Sequence, residues 1–235
     1  MDLKNKRVFI TGAARRLGKQ IALHLLKAGC DVTIHYNHSS QDAEAFRSDC
    51  RVFQADFSAI LITELKKRID AELGAFDILI NNASSFQRSP WNEVNEQLWD
   101  HEFAVNLKVP FFLSQHLGHQ MKQQGFGKII NMADIAAFRS YLNYLPYSLA
   151  KSGLVAMTKA LARALAPQVQ VNAIAPGTIL FPDDMSREDQ ERVLAKIPAH
   201  RTGTLQELLH VVDFLLSDVD YMSGQIITLD GGRSL

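Results

Sequence analysis

Short apolar runs alternate with stretches of helical periodicity along this 235-residue chain. A run at 7–11 ends before Gly12, and Leu17, Ile21 and Leu25 then recur at helical spacing. Further strand-like runs lie at 31–36, 51–56, 76–82, 128–133, 170–175 and 225–229. Repeated strand–helix–strand units predict a parallel sheet covered by helices on both faces. We therefore expect an α/β fold, a doubly wound parallel sheet of about seven strands.

The same pattern predicts how the chain is organised. Helical periodicity extends over 96–122 and over 147–165, and no linker or low-complexity tract interrupts the sequence, so we expect a single domain, 1–235. The segment 181–203 breaks the alternation with proline-containing stretches at Pro182 and Pro198. Two interpretations of that segment stay open, a flap over the site and a plain surface insertion.

Charge and composition give no support for several classes of partner. Lys and Arg number 25, and Asp and Glu also number 25, so the balance favours neither nucleic acid nor an anionic membrane as partner. No apolar run approaches the roughly 20 residues of a membrane helix, and no apolar signal segment precedes the first strand. Cys30 and Cys50 are typical of reduced interior residues, not of a disulfide or a metal site. We expect a cytoplasmic protein without a metal.

The turn after the first strand, Thr11 to Gly18, is suited to a dinucleotide. In doubly wound folds this turn meets the diphosphate, which lies at the positive N-terminus of the following helix. Gly12 permits the tight turn, and Gly18 permits close packing of the helix on the sheet.

The end of the second strand indicates which dinucleotide is bound. Its residues, His35, Tyr36, Asn37, His38 and Ser39, include no carboxylate where NAD-specific proteins place one against the ribose 2′-hydroxyl. A carboxylate would repel a 2′-phosphate, whereas Asn37, His38 and Ser39 can donate hydrogen bonds to it. This favours NADP(H), and we hypothesise that Arg15 supplies the positive charge.

Tyr147 and Lys151 are a candidate catalytic pair. They are four positions apart, so on a helix they share one face. An ammonium beside a phenol favours the phenolate, and we expect Lys151 to lower the pKa of Tyr147 and let it exchange protons near neutral pH.

These motifs together resemble the short-chain dehydrogenase/reductase family, whose fold is of the Rossmann type. The family normally carries a serine that binds a substrate carbonyl, and Asp134 stands at that position. The family's middle glycine of the first turn is replaced by Arg16. Both departures, and the run Asn82-Ala-Ser-Ser-Phe86, are similar to the pteridine reductase and dihydromonapterin reductase branch.

The resemblance implies roles for particular residues. Asp134, Tyr147, Lys151 and Asn106 would be catalytic, with Asn106 bending a helix and binding a water that serves the lysine. The substrate would contact Phe86, stacked on the pterin, together with Ser84, Arg16, Asp134 and Tyr147. Tyr144 would either line the pocket or only pack. The residues that would contact the cofactor are Gly12, Arg15, Arg16, Leu17, His35, Tyr36, Asn37, Ser39, Asp56, Phe57, Asn82, Ala83, Ser84, Lys151, Pro176 and Gly177. Asp56 has a second interpretation, as the N-cap of the following helix.

The resemblance implies NADPH-dependent reduction of a 7,8-dihydropterin such as dihydrobiopterin or dihydromonapterin, with dihydrofolate as a further candidate substrate. Two alternatives stay open: a carbonyl reductase acting on 3-oxoacyl thioesters or other ketones, and a non-catalytic NADPH-binding sensor. In related enzymes the C-terminus packs near a neighbouring subunit, so we expect a homotetramer.

Overall fold

The computed structural model describes residues 2–183 and 185–235 and contains one seven-stranded sheet. All of its strands are parallel, in the order β3-β2-β1-β4-β5-β6-β7. The strands are β1 (Arg7–Ile10), β2 (Asp31–Tyr36), β3 (Arg51–Gln54), β4 (Ile78–Asn81), β5 (Gly127–Met132), β6 (Val169–Pro176) and β7 (Ile226–Leu229). The helices are α1 (Arg16–Lys27), α2 (Ser40–Glu44), α3 (Ile62–Glu72), α4 (Glu96–Phe103), α5 (Val109–Gln124), α6 (Leu145–Leu165), α7 (Arg187–Leu194) and α8 (Leu205–Leu216).

The predicted doubly wound sheet is confirmed, because helices cover both of its faces. On one face, α3, α5 and α6 pack Leu65, Leu113 and Leu154 against strand residues such as Phe9 and Leu79. On the other face, α1 and α8 pack against the alternate positions of the same strands. Both faces of the central strands are therefore buried, which explains why those strands are continuous apolar runs. None of the helices in the described residues is long and apolar enough to span a membrane.

The helical pattern over 96–122 is not one regular helix. Helices α4 and α5 are joined by a π-helical turn, Ala104–Lys108, in which the N–H of Val109 donates to the carbonyl of Ala104, five residues earlier. Pro110 lies in the next turn and has no N–H to donate to the carbonyl of Asn106, so the α-helical bond at that point cannot form. The wider turn places Asn106 inside the protein, where it is fully buried.

The carboxyl ends of the parallel strands meet at one edge of the sheet. The order of the strands reverses at β1, whose neighbours are β2 and β4, and ligands bind at such a switch point in open α/β sheets. The turn from β1 to α1, the residues after β4 and the residues after β5 all lie at this edge. The segment 181–203 contains α7, and its Asp184 lies outside the described residues.

Candidate active site

The glycine turn after β1 lies directly against the residues that follow β4. Gly12 has a φ of +62°, and a Cβ there would lie 2.6 Å from Cα of Ala83. A Cβ on Gly18 would lie 2.5 Å from Nδ2 of Asn82. Only glycine permits this approach, so the two sheet-edge segments form one wall of a cleft.

Hydrogen bonds fix that wall. The N–H groups of Asn82 and Ala83 both donate to Oγ1 of Thr11 at 2.9 Å. The side-chain amide of Asn82 donates to the carbonyls of Thr11 and Gly12, also at 2.9 Å. Asn82 and Ala83, predicted as cofactor contacts, therefore hold the glycine turn in position.

Arg16 connects the glycine turn to the segment 181–203. Its backbone has a φ of +50°, the left-handed conformation that the glycine of the family motif adopts easily. Its guanidinium donates to the carbonyls of Leu180 and Phe181, each at 3.2 Å. Arg16 is exposed, and its guanidinium links the glycine turn to the start of the segment whose interpretation as a flap or an insertion stays open.

His35 holds the glycine turn in place through a hydrogen bond to the backbone of Gly12. Its Nδ1 accepts from the N–H of Gly12 at 3.1 Å, so Nε2 carries the proton and donates to the carbonyl of Ala55 at 2.9 Å. The ring stacks on Phe57, with centroids 3.8 Å apart. Burial lowers the pKa of His35 to about 4, so the imidazole is neutral at physiological pH.

The cleft fits a dinucleotide. It has a volume of about 710 Å³ and is lined by residues of the glycine turn, the end of β2, Phe57 and the segment after β4. Within the described residues that line it there is no carboxylate. Oδ1 of Asn37 is buried and has no hydrogen-bond partner among the described protein atoms, so a ribose hydroxyl or phosphate-bound proton could satisfy it. Arg15 lines the same cleft, with Nε 3.7 Å from a carboxylate oxygen of Asp42.

Four residues that were predicted to contact the cofactor do not line the cleft: Asp56, Lys151, Pro176 and Gly177. The carboxylate of Asp56 accepts from the N–H and the hydroxyl of Ser58, at 2.9 and 2.6 Å, and these bonds lower its pKa. The N-cap interpretation of Asp56 is wrong, because α3 begins at Ile62, and Asp56 caps a turn instead. Pro176 and Gly177 lie at the end of β6, where the N–H of Gly177 donates to the carbonyl of Leu229.

Asp134 and Tyr147 form a direct pair. The Tyr147 hydroxyl donates to Oδ2 of Asp134 at 2.8 Å, and the other carboxylate oxygen accepts from the N–H of Ala136 at 2.7 Å. Burial raises the pKa of Asp134. Burial and the neighbouring carboxylate also hold the pKa of Tyr147 well above its usual value. The expectation that Lys151 lowers the pKa of Tyr147 is therefore wrong for this protein, because desolvation and Asp134 outweigh the ammonium.

Lys151 lies beneath this pair. Its ammonium donates to the carbonyl of Met132 at 2.8 Å and lies 5.6 Å from the centroid of the Tyr147 ring. Burial lowers the pKa of Lys151 to about 8. An ammonium has three N–H donors, and within the described residues one of them donates to the Met132 carbonyl, so the others are available for a ribose hydroxyl.

Glu102 is a functional candidate that sequence reasoning missed. It is fully buried, and its carboxylate accepts from the hydroxyl of Ser85 at 2.7 Å, the N–H of Gln87 at 3.1 Å and Nδ2 of Asn106 at 2.8 Å. Asn106 in turn accepts from the hydroxyl of Ser84 at 2.8 Å. The only signal in the sequence is the spacing of four residues between Glu102 and Asn106, which is common in any helix.

Phe86 packs against Tyr147 of the Asp134–Tyr147 pair. One face of its ring is stacked on Tyr144, with centroids 4.1 Å apart, and its edge meets Tyr147 at 4.7 Å. Phe86 remains half-exposed. A cleft of dinucleotide size therefore lies beside the Asp134–Tyr147 pair, the buried ammonium of Lys151 and the stacked rings of Phe86 and Tyr144. This arrangement is suited to the reduction of a planar, unsaturated substrate.

Comparison with known proteins agrees with this geometry. The family model described as enoyl-(acyl carrier protein) reductase matches residues 12–234. The chain is 33% identical to a 3-oxoacyl-[acyl-carrier-protein] reductase of Staphylococcus aureus over 239 residues, 97% of each protein. It is 36% identical to a 2-dehydro-3-deoxy-D-gluconate 5-dehydrogenase of Dickeya dadantii, over 98% of this chain and 96% of that protein.

Solved structures show the same fold. The alternative dihydrofolate reductase 1 (FolM) of Brucella canis, crystallised with NADP, superposes with a TM-score of 0.87 at 35% identity, covering 100% of this chain and 96% of that one. A short-chain alcohol dehydrogenase described from Sinorhizobium meliloti superposes with the same score at 33% identity, covering 99% and 97%. The chain is therefore an oxidoreductase that belongs to the short-chain dehydrogenase/reductase family.

Proposed function

We propose that the protein is an NADPH-dependent pteridine reductase that converts a 7,8-dihydropterin to the tetrahydro form. The observation that carries this proposal is the bond from Tyr147 to Asp134, at the position where the family normally has a serine. An ionised carboxylate cannot donate a hydrogen bond to a ketone oxygen, as the serine does. A carboxyl group with a raised pKa can instead supply a proton.

The cofactor, when bound in the cleft, supplies the hydride. In a 7,8-dihydropterin the C6=N5 double bond accepts that hydride at C6 and a proton at N5. Tyr147 gives its hydroxyl proton to N5, and protonated Asp134 replaces it through their shared hydrogen bond. Asp134 keeps part of its surface exposed, so it can recover a proton from water. Lys151 would donate to the ribose, and the ring face of Phe86 would stack on the pterin, which would gain about 0.5–1.5 kcal/mol from such stacking.

Two further observations support the choice of substrate and cofactor. The similar Brucella structure is described as an alternative dihydrofolate reductase and contains NADP. The cleft has no lining carboxylate among the described residues that would repel a 2′-phosphate, and it has Arg15. We expect Arg15→Ala to reduce the preference for NADPH over NADH, measured as the ratio of KM values. An unchanged ratio would exclude Arg15 as the source of that preference.

The second candidate is a carbonyl reductase acting on a 3-oxoacyl thioester, as the Staphylococcus relative is described. Oxidation of NADPH by the wild-type protein should be measured with dihydrobiopterin, dihydromonapterin, dihydrofolate, acetoacetyl thioesters and simple ketones. Turnover of the pterins with little or none of the ketones supports the proposal. Turnover of a ketone alone would establish the second candidate, and cofactor binding without any turnover would indicate a sensor.

A further inference from the structure

A second cavity, of about 430 Å³, lies beside the residues that follow Asp134. It is lined by Ile135, Arg139, Ser140, Tyr141, Lys196 and Arg233. Ile135 follows Asp134 directly in the chain. The charge of Arg233 acts on Asp134, because it is among the groups that oppose the rise in the pKa of that carboxyl. The cavity therefore adjoins the proposed catalytic pair.

The lining of this cavity carries three cations and, among its described residues, no carboxylate. None of the three forms an ion pair with a carboxylate in the described part of the chain. Asp134 and Asp230, which lie outside the lining, offset part of the charge of Arg233, since that charge acts on the pKa of both carboxyl groups. The like charges of the three lining cations still repel each other around this concave surface. An anion in the cavity would relieve that repulsion.

The two arginines are held in place and still have donors for a ligand. The guanidinium of Arg139 donates to the backbone carbonyl of Arg233. The guanidinium of Arg233 donates to Oγ1 of Thr178 at 2.8 Å and lies over the ring of Tyr141, 5.9 Å from its centroid. A guanidinium has five N–H donors, so most remain for bidentate contacts with a carboxylate or phosphate. Lys196 is exposed and adds the third positive charge.

The chemistry of the reaction directs the substrate's side chain towards this cavity. Under the proposed function, Tyr147 and Asp134 protonate N5, and the side chain of a dihydropterin is attached at C6, the adjacent atom. The side chain therefore leaves the ring beside Asp134. Ile135, which follows Asp134 in the chain, is one of the residues that line the cavity.

We propose that Arg139, Lys196 and Arg233 form a subsite for a carboxylate or phosphate on the C6 side chain, so that the enzyme favours acidic dihydropterins over neutral ones. The proposal rests on the proposed function for its choice of substrate. The shared chemistry is an anion at the end of a side chain, and separate substrates distinguish its two sources.

The test compares the Arg139→Gln/Lys196→Gln variant with a control, Lys159→Gln/Arg163→Gln, which removes two exposed cations from the outer part of α6. Substrates are dihydrofolate (carboxylates), dihydroneopterin phosphate and neutral dihydrobiopterin. We expect kcat/KM to fall about tenfold, or about 1.4 kcal/mol, for one or both anionic substrates in the first variant only. For dihydrobiopterin we expect it to stay within about twofold. The substrate that loses activity identifies the anion, and equal losses on all three, or none, would overturn the proposal.

A binding measurement separates this subsite from the reaction. Binding of 4-aminobenzoyl-glutamate and of inorganic phosphate to the protein with NADP is followed by ligand-observed NMR. Binding of either probe that weakens in the Arg139→Gln/Lys196→Gln variant and not in the control supports the subsite, even if no dihydropterin is reduced and the proposed function fails. Binding that is absent, or equal in both variants, contradicts the subsite while leaving pterin reduction intact.

Discussion

The backbone and the side chain of Arg16 have opposite effects on the free energy of folding. Its left-handed backbone, with a φ of +50°, costs a residue with a Cβ roughly 1–2 kcal/mol relative to glycine. Its guanidinium, however, holds the carbonyls of Leu180 and Phe181. Arg16 therefore has a strained backbone and a side chain that links the glycine turn to the start of the segment 181–203.

Comparing Arg16→Gly with Arg16→Ala separates the strain from the link. Both substitutions remove the guanidinium, and only glycine removes the strain. In urea unfolding, we expect the free energy of unfolding of Arg16→Gly to exceed that of Arg16→Ala by about 1 kcal/mol. We expect both substitutions to raise KM for NADPH and for the pterin. Equal stabilities of the two variants would show that the position is not strained.

We expect Glu102 to position the segment after β4, which contains Ser85 and Gln87, through its hydrogen bonds. In Glu102→Gln one oxygen becomes an NH2 group, which cannot accept from Asn106 or from Ser85 and Gln87. We expect a loss of about 1–3 kcal/mol in the free energy of unfolding, with a higher KM for the pterin. The exposed Glu96→Gln, on the same helix, is the control. Unaltered stability and KM in Glu102→Gln would mean that the buried charge has no positioning role.

The sequence predicted those site residues that belong to a recognisable motif. Asp134, Tyr147 and Lys151 lie together as their spacing and the family resemblance implied. The direction of the Tyr147 pKa shift was predicted wrongly, because the i, i+4 spacing shows the ammonium but not the depth of burial or the bond to Asp134. Glu102 could not be found, since its partners Ser85 and Gln87 meet it only after the chain folds.

At the scale of elements, the β1–α1 turn depends on a neutral histidine. Burial lowers the pKa of His35 to about 4, from 6.5, and the folded state therefore binds its proton less readily than the unfolded chain. The stability that neutral His35 provides is present above pH 6.5 and is lost as the pH falls towards 4.

We expect this histidine to remove about 2 kcal/mol of stability between pH 7 and pH 5. In His35→Asn, Oδ1 can still accept from Gly12, but the side chain does not titrate. Urea unfolding of both proteins over this range should give a smaller loss for the variant, even if its stability at pH 7 is lower. Parallel curves would show that His35 does not drive the pH dependence.

The elements differed in how well the sequence revealed them. The central strands were predicted to within about two residues at their ends, because burial on both faces makes them apolar throughout. Helix α3 was not identified, because it buries only Leu65 and Ile69 among charged residues. The π-helical turn was not predicted either, since its cause combines Pro110 with the packing of Asn106.

At the scale of the whole molecule, we propose that the protein is a homotetramer. Trp99, Phe111 and Leu149 lie on α4, α5 and α6 and are between 37% and 39% exposed. Sedimentation velocity should give a tetramer for the wild type and a smaller species for Phe111→Glu/Leu149→Glu. Leu61→Glu, at an exposed position before α3, is the control. A wild-type monomer would contradict the proposal.

We propose that Asp134 adapts a carbonyl-reductase fold to pterin reduction. The most direct test is the ratio of kcat/KM for a dihydropterin to kcat/KM for an acetoacetyl thioester, in the wild type and in Asp134→Ser. We predict that the ratio falls by about 100-fold or more in the variant, because the pterin loses its proton supply while serine can donate to a ketone. An unchanged ratio, with dihydropterin turnover that survives the substitution, would contradict the account.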